Sequence, residues 1–247
     1  MPPAAPELLV CGSAGELAER AARVFIRAAR DSTAARGCFR VALAGGSTPR
    51  AVYARLAETA VEGVLWSKTE VFWGDERLVP PDDPASNYGM ARETLLSRVP
   101  IPLDNVQRFP TELSPPEAVA RQYEKQIRAS FNLRRGARPR FDLVLLGVGE
   151  DGHTASLFPG STALHERRRL AVAVFVDKLQ AFRVSLTLPV LNAARLVVFV
   201  VQGESKAEIL GRVLGPDRQP DKWPAQAVQP KGGRLIWLMD SAAACRL

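Results

Sequence analysis

The chain has few of the residues that build metal centres and disulfide frameworks. Its 247 residues include three cysteines (Cys11, Cys38 and Cys245) and two histidines (His153 and His165). An odd cysteine count with no C-x-x-C spacing excludes a disulfide scaffold and agrees with a reducing compartment. Distant histidines and unclustered cysteines give no zinc-ligand spacing, so no metal site is expected. No stretch reaches the ~18 uninterrupted apolar residues of a spanning helix. Met1–Pro6 has no basic region followed by an apolar core, so no leader peptide is expected. These absences make a soluble, cytoplasmic protein without a membrane partner the expectation. A G-x-S-x-G elbow is also missing, which disfavours a serine esterase of the α/β-hydrolase kind.

Lysine is scarce as well. Only six of the 33 cationic residues are lysine and 27 are arginine, against 26 acidic residues, for a net charge of +7. The arginines are scattered, and the densest runs are short, at Arg134–Arg140 and Arg167–Arg169. Few aromatics lie among them to stack bases. The charge therefore reads as solvated surface plus some help for an anionic substrate, and no nucleic-acid partner is expected. The composition is 47% hydrophobic and 24% charged, which excludes disorder or coiled coil as the main state. The length suits one large α/β domain as well as two small ones. With no repeat, low-complexity linker or boundary, one domain over residues 1–247 is expected.

Apolar runs alternate with helical periodicity along the chain. Strands are predicted at Glu7–Cys11, Phe39–Ala44, Glu70–Gly74, Phe141–Leu146, Leu170–Val176, Phe182–Leu188, Arg195–Val201 and Leu235–Met239. Ser13 with Glu16 forms a capping box for a helix ending at Gly37, and Ser114 with Glu117 forms another, with Pro115 at the first helical position. Thr48 reads as a cap before Pro49. Asn87–Arg98 and Glu204–Leu214 are further helices, and Asp240 can cap a short last one. This βα spacing predicts a Rossmann-like α/β fold, a doubly wound, mostly parallel sheet flanked by helices. Ligands of such sheets gather beyond the carboxyl ends of the strands.

Three segments stand there. Gly45-Gly46-Ser47-Thr48-Pro49 combines a tight turn, two hydroxyls and a helix N-terminus, an arrangement that binds phosphate or simply turns the chain. It is not a Walker loop, because no G-K-[ST] follows. Asp75-Glu76-Arg77 follows a buried strand; it is either a solvated turn or a carboxylate beside an arginine fork suited to an anion. Gly147–Gly152 matches G-x-G-x-x-G, but Glu150 and Asp151 would set two negative charges beside a pyrophosphate. His153 is the better centre, as a general base with either acidic neighbour orienting its ring. His165, among Glu166 and Arg167–Arg169, reads as a surface residue.

Together these segments resemble the 6-phosphogluconolactonase family, within the superfamily that includes glucosamine-6-phosphate isomerase/deaminase. The resemblance rests on Leu43–Pro49, Trp73–Arg77, Ser86–Gly89, Leu146–Pro159, Arg183–Asn192 and Gly203–Ala207, six motifs in order over nearly the whole chain. It implies hydrolysis of 6-phospho-D-glucono-1,5-lactone to 6-phosphogluconate, the second step of the oxidative pentose phosphate route, with no metal or redox cofactor. By the same resemblance, His153 matches the general base. Gly45, Gly46, Ser47, Thr48, Arg183 and Lys206 match positions for the sugar phosphate. Asp75 and Arg77 match the charged segment of the site, and Asp151 joins the catalytic set as a neighbour of His153. The mechanism expected from these residues, apart from the resemblance, has His153 take a proton from the attacking water. Arg77 or backbone N–H groups hold the oxyanion, and His153 then protonates the leaving ring oxygen. A small-molecule lactone is the partner, and a monomer is expected.

Two rivals stand beside this reading. The amino-sugar phosphate isomerases follow Gly-Glu-Asp-Gly-His with an Ile-Ala-Phe-Asn-like segment, whereas Thr154-Ala155-Ser156-Leu157-Phe158 follows here. A non-catalytic sugar-phosphate-sensing module would carry a DNA-binding extension, and the first strand already begins at Glu7.

Overall fold

The computed structural model describes residues 5–59 and 63–247. Met1–Ala4, part of the segment searched for a leader, lies outside the described residues. Nine strands occur among them: β1 (Glu7–Cys11), β2 (Phe39–Leu43), β3 (Thr69–Trp73), β4 (Asp75–Arg77), β5 (Leu143–Leu146), β6 (Ala171–Val176), β7 (Ala181–Leu186), β8 (Leu196–Val201) and β9 (Arg234–Asp240). The helices are α1 (Ala14–Arg36), α2 (Ser47–Thr59), α3 (Asn87–Thr94), α4 (Pro116–Ser130), the short α5 (Leu188–Leu191) and α6 (Ala207–Leu214).

Six strands form one all-parallel sheet in the order β1-β9-β8-β5-β2-β3. Its central strands are apolar throughout because helices cover both faces; all of β5 is buried. From β2 the chain crosses by α2 to β3 on one side, whereas from β5 it proceeds to β8 on the other. Right-handed crossovers then put α1 and α2 on one face and α4 and α6 on the opposite one. The gap between the carboxyl ends of β2 and β5 is thus the topological switch point, where such sheets open a crevice.

The predicted strands at 170–176 and 182–188 do not join this sheet. They form a separate antiparallel sheet, β4-β7-β6. The reason is the short link Asp177–Gln180, with Gln180 left-handed at φ 46°; it closes a hairpin and is too short for a parallel crossover. Gly74 joins the two sheets: its N–H donates to Leu43 O at 2.8 Å, and its carbonyl accepts from Leu186 N at 2.7 Å.

The helix boundaries follow local chemistry. Ser13 Oγ accepts from Glu16 N at 3.2 Å, and Gly37 closes α1 in the left-handed region at φ 75°. The second capping box does not form. Pro116 occupies the first helical position and Pro115 the cap, which leaves Ser114 one residue outside the reach of a capping bond. Asn87–Arg98 breaks after Thr94, and only a 3₁₀ turn, Leu96–Arg98, follows. Glu204–Lys206 is likewise a 3₁₀ turn before α6. Asp240 Oδ1 accepts from Ala243 N at 2.8 Å, capping a turn rather than a helix. Among the described residues no helix is long and apolar enough to cross a membrane.

Candidate active site

The crevice at the switch point is a cleft of about 250 Å³. Its first wall is the turn after β2. Gly45 packs so closely that a Cβ there would stand 1.7 Å from Asn87 Oδ1. Gly46 has φ 104°, a conformation that glycine adopts without strain, and its carbonyl accepts the first helical bond from Arg50 N at 3.1 Å. Helix α2 therefore starts at Ser47, not after a Thr48 cap. Pro49 sits inside the first turn, where its missing N–H costs nothing. The N–H groups of Ser47 and Thr48 belong to that first turn, at the positive end of the helix dipole. The buried Tyr53 hydroxyl accepts from Ala44 N at 2.9 Å and donates to Ala44 O at 2.8 Å. It replaces the strand neighbour that Ala44 has lost and fixes the turn.

The second wall follows Gly74. Tyr123 repeats the Tyr53 arrangement on Trp73, accepting from its N at 2.8 Å and donating to its O at 3.0 Å. Asp75 faces the cleft and accepts from Ser156 Oγ at 2.7 Å. Glu76 points the other way and is buried. It accepts from Asn87 N (2.7 Å), Tyr88 N (2.8 Å), Arg77 N (2.8 Å) and Ser86 Oγ (3.2 Å). Burial pushes its carboxyl above the usual range, against the pull of those backbone N–H groups. The residue that looked like part of a solvated turn is thus the anchor of α3. Arg77 lines the cleft and donates to Ala85 O. In the β4–β7 ladder it lies directly opposite Arg183. Burial, and then the Arg77 charge, hold Arg183 below the ordinary arginine range, with Asp75 and Glu76 opposing. Two neighbouring guanidinium groups create a strong demand for an anion.

The third wall is the loop after β5. Asp151 Oδ1 lies 2.5 Å from His153 Nδ1 and also accepts from His153 N at 3.2 Å. The hydrogen bond from His153, its largest influence, holds the Asp151 carboxyl down at about 2. The ring stacks on Phe158 with centroids 4.2 Å apart. A Cβ at Gly149 would stand 2.1 Å from that ring. Ala155, which also lines the cleft, is held at φ 49°, left-handed backbone that L-residues avoid. Lys206 reaches the cleft from the turn after β8, with Nζ 3.9 Å from Glu150 Oε1.

Of the residues singled out in the sequence, Gly45, Asp75, Arg77, His153 and Lys206 line this one cleft. Asp151 is the partner of His153, and Arg183 stands beside Arg77. Gly46, Ser47 and Thr48 lie beyond Gly45 and do not line the cleft itself. His165 is exposed. Asn87 was not singled out, although it lines the cleft. Its Nδ2 donates to Asp75 O at 2.9 Å, and its buried Oδ1 has no hydrogen-bond partner among the described residues. Nor was Lys178, whose Nζ lies 3.8 Å from Asp151 Oδ2. Asn87 sits inside a quoted motif, but Lys178, at a hairpin tip, leaves no mark in the sequence. Among the described residues no three His, Cys, Asp or Glu side chains come together in a way that would hold a metal ion.

Comparison with known proteins shows the family. The sequence model of the family described as glucosamine-6-phosphate isomerases/6-phosphogluconolactonase matches residues 12–237. A 6-phosphogluconolactonase of Synechocystis is 42% identical over 239 residues, covering 97% of each chain. A human 6-phosphogluconolactonase is 43% identical over 245 residues, covering 97% of this chain and 93% of its own. The solved 6-phosphogluconolactonase of Trypanosoma brucei superposes with a TM-score of 0.86 at 32% identity, over 98% of this chain and 99% of that one. A monomeric glucosamine-6-phosphate deaminase, 20% identical with a TM-score of 0.80, shares the fold. The chain belongs to the family of glucosamine-6-phosphate isomerases and 6-phosphogluconolactonases.

Proposed function

We propose that the chain is a 6-phosphogluconolactonase, hydrolysing 6-phospho-D-glucono-1,5-lactone to 6-phosphogluconate in the oxidative pentose phosphate pathway. The observation that carries this reading is the 2.5 Å Asp151–His153 pair on the wall of a cleft that also holds Arg77 and Lys206. The identity to relatives of that name supports it.

Asp151, ionised, accepts the His153 Nδ1–H and so leaves Nε2 as the basic nitrogen. Nε2 takes a proton from water as its oxygen bonds to the lactone carbonyl carbon. The developing oxyanion is met by Arg77 or by backbone N–H groups of the glycine loops. When the ring C–O bond breaks, the protonated His153 gives its proton to the departing oxygen, which becomes a hydroxyl. The new carboxylic acid then releases its proton to solvent. Arg183, Lys206 and the Gly45–Thr48 turn hold the phosphate; Asp75, steadied by Ser156, takes a sugar hydroxyl. Residues from Ala44 to Lys206 share the cleft, so we treat the chain as one domain. We also place it in the cytoplasm, as a monomer without a nucleic-acid partner, in keeping with its three free cysteines.

The test compares three compounds with the purified chain. Freshly made phosphogluconolactone should be hydrolysed far above its spontaneous rate, and glucosamine 6-phosphate should release no ammonia. Arg183→Ala and Lys206→Ala should raise KM more than they lower kcat. Equal turnover of glucono-1,5-lactone, which lacks the phosphate, would remove the phosphate assignment.

A further inference from the structure

The lactonase chemistry leaves the two densest arginine runs unused, and the fold brings them together. Arg138 Nη2 donates to Arg167 O at 2.9 Å. With Arg140 and Lys231 these residues ring a cavity of about 590 Å³. Arg140 precedes β5 and Lys231 precedes β9, so the cavity is at the amino end of the sheet. From Arg140 to Gly147 the chain covers about 20 Å, so the catalytic cleft lies at the opposite end.

The cavity is an open concavity rimmed by four exposed cations. Arg140 Nη2 donates to Gly232 O at 2.7 Å, and Arg167 Nη1 donates to Leu164 O at 2.6 Å. Each arginine is thus anchored to backbone through one nitrogen, and among the described residues the rest of its fork has no partner. Among the described residues none of the four cations is ion-paired with a carboxylate, and no Asp or Glu lines the cavity. The floor is apolar, formed by Leu188, Ala193 and Ala227. Asn192 makes it rigid: its Nδ2 donates to Ala227 O at 2.9 Å, its Oδ1 accepts from Gln229 N at 2.6 Å, and its carbonyl accepts from Lys231 N at 2.8 Å.

We infer that this cavity is a second anion site, for a small organic polyphosphate with an apolar body; a nucleoside polyphosphate is the class that fits. The four cations match a chain of phosphates, and arginine forks favour their planar, bidentate recognition. The apolar floor accepts the base and sugar, and the volume lies within the range of small-molecule pockets. The cations ring one concavity that no aromatic residue lines, so a long nucleic-acid strand finds no stacking track.

The experiment is a calorimetric titration of the full chain with magnesium-free adenosine triphosphate at physiological salt, with 6-phosphogluconate saturating the catalytic cleft. One saturable site is expected, with tripolyphosphate binding more weakly. Lys231→Gln and Arg140→Gln should each weaken it by about 10-fold. Among the described residues the Lys231 side chain makes no hydrogen bond or ion pair, so that variant should keep the wild-type melting temperature and lactonase kcat. Absence of saturable binding at millimolar nucleotide, or unchanged affinity in Lys231→Gln, would overturn the site. Equal affinity for tripolyphosphate would overturn the nucleotide class. The binding outcomes stand apart from the lactonase reading, because Lys231 and Arg140 line this cavity and not the catalytic cleft.

Discussion

At the scale of single residues, the account rests on His153 and the two groups that fix its ring. Asp151 holds Nδ1, and Gly149 leaves the space the ring occupies. Gly149→Ala should therefore displace the imidazole and lower kcat by about 10²-fold, the cost of a misplacement of ~1 Å. Its melting temperature should stay near that of the parent. Asp151→Asn should lower kcat by about 10²–10⁴-fold, because an amide no longer enforces the productive tautomer. The sign of the stability change is also determined. The folded Asp151 carboxyl sits at about 2, below the ordinary aspartate value of about 4. Its stabilisation is full above about pH 4 and is lost as pH falls towards 2. Melts of both proteins from pH 7 downward should show a difference that is constant at first and then closes over that window. His153 stands out in the sequence because glycines and carboxylates crowd a strand end. Which carboxylate partners the ring is not legible, since Glu150 and Asp151 stand side by side between Gly149 and Gly152; only the turn geometry turns Asp151 back and sends Glu150 towards Lys206.

At the scale of elements, the cleft depends on how three strands end. Tyr53 and Tyr123 stand in for missing strand neighbours at Ala44 and Trp73, one residue before Gly45 and Gly74. Glu76 fastens the N-terminus of α3 to the short strand β4 and so places Asn87 against Asp75. Glu76→Gln puts an amide N–H₂ where the carboxylate accepts N–H donors. It should cost about 2–4 kcal/mol of stability by chemical denaturation. A loss below about 0.5 kcal/mol, the range of ordinary surface changes, would mean that the carboxylate does not anchor the helix. The strands of the parallel sheet were legible from their apolar runs. Strand β4 was not, because three charged residues in a row carry no apolar alternation. Its pairing with β7 comes from tertiary contact. Nor was the failure of Ser114 to cap α4 legible, because two prolines in succession left the start of the helix ambiguous.

At the scale of the whole molecule, the fold brings loops that stand out in the sequence to one cleft. The order β1-β9-β8-β5-β2-β3 opens a crevice between β2 and β5, and the loops singled out for their glycines and charges lie beside it. The +7 charge divides by place. Arg77, Arg183 and Lys206 serve the carboxyl end of the sheet, whereas Arg138, Arg140, Arg167 and Lys231 cluster at its amino end. In the sequence Arg138 and Arg140 belong to one short run and Arg167 to another; only the fold brings the two runs and Lys231 together. The most direct test of the central claim is the rate at which wild type and His153→Ala hydrolyse freshly prepared 6-phosphogluconolactone, each corrected for spontaneous hydrolysis. The account predicts a kcat about 10²–10⁴-fold lower in the variant with KM little changed. A variant that kept the wild-type kcat, or a wild type no faster than the spontaneous reaction, would contradict it.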